Sequence, residues 1–114
     1  MSKFFKVKDP IMGSPDYLFF CEGCGCDHGI WVNTHPNGSN WVFNGSLDRP
    51  TVSPSILITY PSFRKKDENG IGISGTEYIH TCHSFITNGM IKYLADCTHD
   101  LKTKTLELID YSNS

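Results

Sequence analysis

Apolar residues along this chain alternate with polar ones in short runs and do not recur every three or four positions. That is the period of strands, not of helices. The pattern predicts strands at Phe4–Lys8, Tyr17–Cys21, Gly29–Thr34, Asn40–Asn44, Ser55–Tyr60, Thr76–Thr87, Met90–Ala95 and Thr105–Asp110. Turn signals separate them at Met12-Gly13-Ser14-Pro15, Pro36-Asn37-Gly38 and Asn88-Gly89. Helix is limited to one turn near His99–Lys102. The charged, glycine-rich segment 64–75 reads as a mobile surface loop. The expected fold is mainly β: a small antiparallel domain arranged as a barrel or a sandwich.

Composition narrows the picture. With 114 residues the chain forms one domain over 1–114, and its core gives only modest stability. A net charge of −2, with no basic run beyond Arg64-Lys65-Lys66, argues against a nucleic-acid partner. No apolar stretch nears the roughly 20 residues that span a membrane. The start, MSKFFKVKDP, lacks the apolar centre of a signal peptide, so the cytoplasm is the expected compartment. There, five cysteines, an odd number, point away from a disulfide framework and towards metal.

Asn88-Gly89 between alternating runs is a strong hairpin signal, and it sorts the chemistry that follows. If these two residues form the loop, Thr87 faces Met90, Phe85 faces Lys92, His83 faces Leu94, Thr81 faces Asp96 and His80 faces Cys97. Side chains alternate between faces, so His83 and Asp96 become diagonal neighbours on one face. Cys82 and Cys97 become diagonal neighbours on the other. Cys21-x-x-Cys24, in "CEGCGCDHGIW", is a metal knuckle with Gly23, Gly25 and Gly29 as its turn residues. Together, Cys21, Cys24, Cys82 and Cys97 make a closed set of four thiolates, the pattern of a structural zinc that contributes to folding. Cys26 and His28 are spares, either able to replace Cys97. His80 and His99 are open to metal binding, to orienting a neighbour or to plain solvation.

A histidine beside an aspartate is the orienting half of a nucleophile–histidine–acid triad, and equally a common structural hydrogen bond. The nucleophile is sought in "RPTVSPSIL", residues 49–57, where Pro50 and Pro54 stiffen the backbone ahead of Ser55. Ser53 and Thr51 are weaker choices, and serines beside prolines often only make turns. Trp31, Trp41, Phe43 and Phe85 read as core.

The ordered set "CEGCGCDHGIW", "WVFNG", "RPTVSPSIL" and "CHSFITNGMIKYLADCTH" resembles a family of small phage and prophage proteins, often labelled "ammonia monooxygenase". Distant relatives of that family look like serine-type, deubiquitinase-like peptidases encoded beside bacterial ubiquitin-like conjugation genes. The resemblance spans roughly residues 17–110. It implies a Pro-Ser nucleophile at Ser55, a base at His83 and zinc-binding cysteines; Asp96 as the acid comes from the hairpin register. The relatives carry "HFFI" where this chain has "HSFI", so Ser84 does not stand out as the nucleophile. Copper or non-haem iron would want histidine and carboxylate clusters with open positions, which a closed four-cysteine site does not offer.

Three functions follow as expectations. The first is a zinc-stabilised serine peptidase in a bacterial host, cleaving after a ubiquitin-like C-terminus or in a related phage or host protein. The second is a non-catalytic zinc-binding phage protein that inhibits a host protein. The third is a zinc hydrolase built on His83, His99 and Asp96.

Overall fold

The computed structural model describes residues 2–8, 11, 13–32 and 40–110. Among them there is no helix, and so none long and apolar enough to cross a membrane. Eight strands form two antiparallel sheets. Strands β1 (Phe5–Lys6), β2 (Tyr17–Cys21) and β3 (Cys26–Ile30) make the smaller sheet in that order. Strands β4 (Val42–Phe43), β5 (Val52–Phe63), β6 (Glu77–Thr87), β7 (Met90–Tyr93) and β8 (Thr105–Glu107) make the larger, also in chain order. The expected mainly β, antiparallel class is what forms.

The β6–β7 hairpin has the expected register, from Thr87↔Met90 to Ser84↔Tyr93. Asn88 and Gly89 both take positive φ, 51° and 81°, as a two-residue turn matched to strand twist requires. Other boundaries moved. β3 starts three residues before the expected Gly29, because the cysteine knuckle is itself the β2–β3 turn. Cys21 pairs with Cys26, Gly25 N–H donates to Cys21 O at 2.8 Å, and Gly25 has φ +70°. β5 extends at both ends of the expected Ser55–Tyr60. β7 stops at Tyr93 rather than Ala95. Near His99 the chain makes a single hydrogen-bonded turn and no helix, with Lys102 N–H reaching His99 O at 3.3 Å. The turn expected at Pro36-Asn37-Gly38 lies outside the described residues.

Segment 64–75 is exposed, and it continues the β5–β6 hairpin as an irregular ribbon. Arg64 N–H donates to Thr76 O at 2.8 Å, Lys66 bridges Gly72, and Asp67 Oδ1 accepts the Asn69 and Ile71 amides.

Both sheets contribute to one core. Phe4 and Phe19, fully buried, stack at 5.7 Å, and Phe4 meets Phe43 of the larger sheet at 5.3 Å. Strand alternation gives β5 and β6 two different faces. Ile56, His80, Cys82, Ser84 and Ile86 point inwards and are buried. Leu57, Ile79 and Phe85 point outwards, exposed by 56%, 59% and 44%. Phe85, expected in the core, therefore lies on the open face.

Candidate functional site

The same alternation along β6 separates two clusters of chemistry, one buried between the sheets and one on the outer face. On the outer face, Leu57 stands directly opposite His83, and Ser55 is two residues further along β5. Register breaks between Val52 and Ile56, where β5 has two more residues than the β6 segment it opposes. Such a bulge re-aims a side chain and takes amides out of the ladder. Here Ser55 Oγ lies 2.9 Å from His83 Nε2. The other ring nitrogen, Nδ1, is 3.0 Å from Asp96 Oδ2 and 3.2 Å from Oδ1. Trp41 Nε1–H reaches the Ser55 carbonyl at 3.4 Å and so braces the serine from β4's side. The side chain of His83 is 24% exposed and that of Asp96 55%, leaving the group open to a macromolecule.

Three residues named from sequence are thus brought together in the order hydroxyl, imidazole, carboxylate. An acid bonded to Nδ1 keeps the proton there and leaves Nε2 free to accept from a hydroxyl.

On the inner face, Cys21, Cys24, Cys82 and His99 each offer a donor atom, all within 4.8 Å of one another, and could hold a metal ion. Cys97, expected as the fourth ligand, is elsewhere. Its Sγ accepts from His83 N–H and donates to His83 O, both at 3.2 Å. The reason is the end of β7. Leu94 to Cys97 form a turn closed by Cys97 N–H on Leu94 O at 3.2 Å. Pairing with β6 resumes only at Thr98, whose N–H donates to Thr81 O at 2.9 Å. That register is two residues later than the hairpin's. A shift of two keeps the face and changes the residue, so the inward position opposite His80 falls to His99 instead of Cys97.

Two observations fit His99 to a metal. Its Nε2 is a buried atom with no hydrogen-bond partner among the described residues. Its ring also lies over Gly23, where any Cβ would overlap it. Nδ1 accepts the Leu101 amide at 3.3 Å, and a metal on Nε2 would require the ring proton to sit on Nδ1 in place of that bond. Three thiols this close cannot all ionise unaided. Hydrogen bonds from Cys24 and Cys82 hold Cys21 well below the ordinary thiol range, and the same contacts push Cys24 up to about 12 and raise Cys82. A divalent cation among them would favour the thiolate form of all three.

Outer partners surround the cluster. Tyr93 O–H lies 3.2 Å from Cys21 Sγ while accepting Gly23 N–H at 3.4 Å, and burial raises its hydroxyl pKa. His80 Nε2 lies 3.1 Å from Cys24 Sγ, with Tyr78 O–H on its Nδ1 at 3.1 Å. Burial lowers the pKa of His80, which favours its neutral form. Tyr93 could have been found from sequence, because the hairpin register puts it opposite Ser84 on the cysteine face. Of the spares, Cys26 is exposed, and His28 is buried edge-on against Phe19. His99 does not join His83 and Asp96, so the site expected for a zinc hydrolase is not assembled.

Gly23→Ala is expected to expel the His99 ring and weaken metal binding by at least the ~10–100-fold that loss of a supporting partner costs. Competition with a chromophoric chelator measures it; unchanged affinity would show that the ring is no ligand.

The family described as "Bacterial ubiquitination-like system serine protease (BubE)" matches residues 5–94. The chain belongs to this family. The BubE match includes Ser55, His83, Cys21, Cys24 and Cys82; Asp96 and His99 lie just beyond it and rest on geometry. No curated protein and no solved structure matches the chain.

Proposed function

We propose that the chain is a zinc-stabilised serine peptidase that cleaves after the C-terminal tail of a ubiquitin-like protein. The observation that carries this reading is the continuous relay from Ser55 Oγ through both nitrogens of His83 to the Asp96 carboxylate. Ser55 Oγ attacks the scissile carbonyl while His83 Nε2 takes its proton, and Asp96 holds the resulting imidazolium. The C–N bond breaks, His83 returns the proton to the leaving amine, and an ester on Ser55 remains. Water, deprotonated by His83, hydrolyses that ester and restores the serine. Amides that the β5 bulge releases from the ladder are the kind of donor the oxyanion needs.

Two features support a protein substrate. The triad lies on the outer face of the larger sheet, and exposed Leu57, Ile79 and Phe85 share that face. An extended tail can lie across such ground. The family description, a serine protease of bacterial ubiquitination-like systems, supports a protein substrate and is consistent with a ubiquitin-like one.

Three thiolates and one imidazole form a closed set that suits zinc as a structural ion. The Cys21–Cys82 sulfur separation of 3.8 Å is the edge of a tetrahedron with bonds of about 2.3 Å. Zinc held there would offset two of the three thiolate charges and would tie β2 to β6 and to the 94–99 segment; no step of cleavage passes through it.

The test is a ubiquitin-like protein from a bacterial conjugation operon, carrying a short C-terminal extension, read by intact mass. Cleavage at the tail junction that Ser55→Ala prevents supports the reading. An intact fusion, beside turnover of unrelated peptides, would remove the substrate assignment.

A further inference from the structure

We propose that Cys97, which sequence patterning makes a metal ligand, is instead a positioning residue for His83. The inference rests on the reading of His83 as the base of the triad. A hydrogen-bonded antiparallel pair exchanges two backbone bonds. His83 and Leu94 make the first, Leu94 N–H to His83 O at 2.9 Å. The acceptor for the second, Leu94 O, takes Cys97 N–H instead and closes the turn that ends β7. That exchange leaves the His83 amide without a ladder partner, which a partly buried N–H does not tolerate without loss.

The Cys97 thiol fills the gap from both sides. Its sulfur accepts from His83 N–H and its S–H donates to His83 O, both at 3.2 Å, and the residue is buried to 4% exposure. A thiol offers both a donor and an acceptor. The adjacent residue, Asp96, holds the ring of the same histidine at 3.0 Å. One turn therefore fixes the backbone of His83 through Cys97 and its imidazole through Asp96. Cys97 touches no reacting atom; it acts by aiming Nε2 at Ser55 Oγ. A displacement of about 1 Å in such a group costs on the order of 100-fold in rate.

The experiment compares wild type, Cys97→Ala and Cys97→Ser as full-length, zinc-loaded proteins. It reads the rate of fluorophosphonate labelling at Ser55, the metal content, and the proton resonance of His83 Nδ1–H. Cys97→Ala is expected to label about 10–100-fold more slowly, to broaden or shift the Nδ1–H resonance, and to keep its zinc. Cys97→Ser retains a donor and an acceptor and is expected within about threefold of wild type.

Labelling at the wild-type rate in Cys97→Ala, with an unmoved resonance, overturns the proposal. So does loss of zinc from a folded Cys97→Ala protein, which would restore Cys97 to the metal. Should the alanine variant fail to fold, the serine variant decides. Near-normal labelling supports the role, and a loss as large as that of His83→Ala overturns it. A wild-type protein that does not label at all counts against Ser55 as nucleophile, and the resonance then judges Cys97 by itself.

Discussion

Ser55→Ala is expected to lower kcat/KM for cleavage of a ubiquitin-like fusion by at least about 10,000-fold, the scale on which removing a triad nucleophile acts. The fold should not notice. Ser55 is only half-buried on the outer face of β5, and its described side-chain bond is the one to His83. Zinc content and melting temperature should therefore stay at wild-type values. His83→Ala should cost a similar factor, and the double variant little more, because residues that act as a unit are not additive. An active Ser55→Ala protein would end the assignment. Equal inhibition of a host protein by wild type and Ser55→Ala would instead support the non-catalytic reading.

If the four donors hold zinc as proposed, its removal is expected to unfold the protein or lower its melting temperature by on the order of 20 °C. A chain of 114 residues has a small core, and the four donors join β2 and its turn to β6 and to the 94–99 segment. Pulling the ion away leaves three thiols packed together, with Cys24 pushed up to about 12. The sign of the pH dependence follows. Raised thiols hold their protons at neutral pH, metal binding must displace them, and affinity rises with pH by up to about two powers of ten per unit, one for each of Cys24 and Cys82. Calorimetry across pH 6 to 8 in buffers of different ionisation enthalpy would count the protons released. Cys82→Ser should reproduce the loss of stability, whereas Cys97→Ser should not. A chelated protein that melts within about 2 °C of the loaded one would show that no metal supports the fold.

Much of this arrangement was legible because one local signal fixed a register. Asn88-Gly89 set which residues face each other along β6 and β7. Period-two alternation along β6 then puts His83 on one face and Cys82 on the other, while Asp96 reaches the His83 ring from the turn that follows β7. What remained hidden was where the ladder ends. Nothing in "YLADCTH" announces that the Leu94–Cys97 turn inserts two residues before pairing resumes, so His99 takes the inward position expected of Cys97. The pattern predicts too short a β5 for a related reason. Pro54 argues against a strand interior, yet it falls in the register break, where no ladder N–H is required. The pattern starts β3 late because Cys26, Asp27 and Gly29 have little strand propensity, and pairing with β2 overrides it.

The measurement that goes most directly to the central claim is reaction of zinc-loaded protein with a fluorophosphonate, followed by intact mass and peptide mapping. In that reaction the Ser55 oxygen bonds to phosphorus, fluoride leaves, and His83 takes the hydroxyl proton. The account predicts a single adduct, on Ser55, that disappears in His83→Ala and slows sharply in Asp96→Asn. No adduct on a folded, zinc-bound protein, or an adduct on another residue, would contradict it.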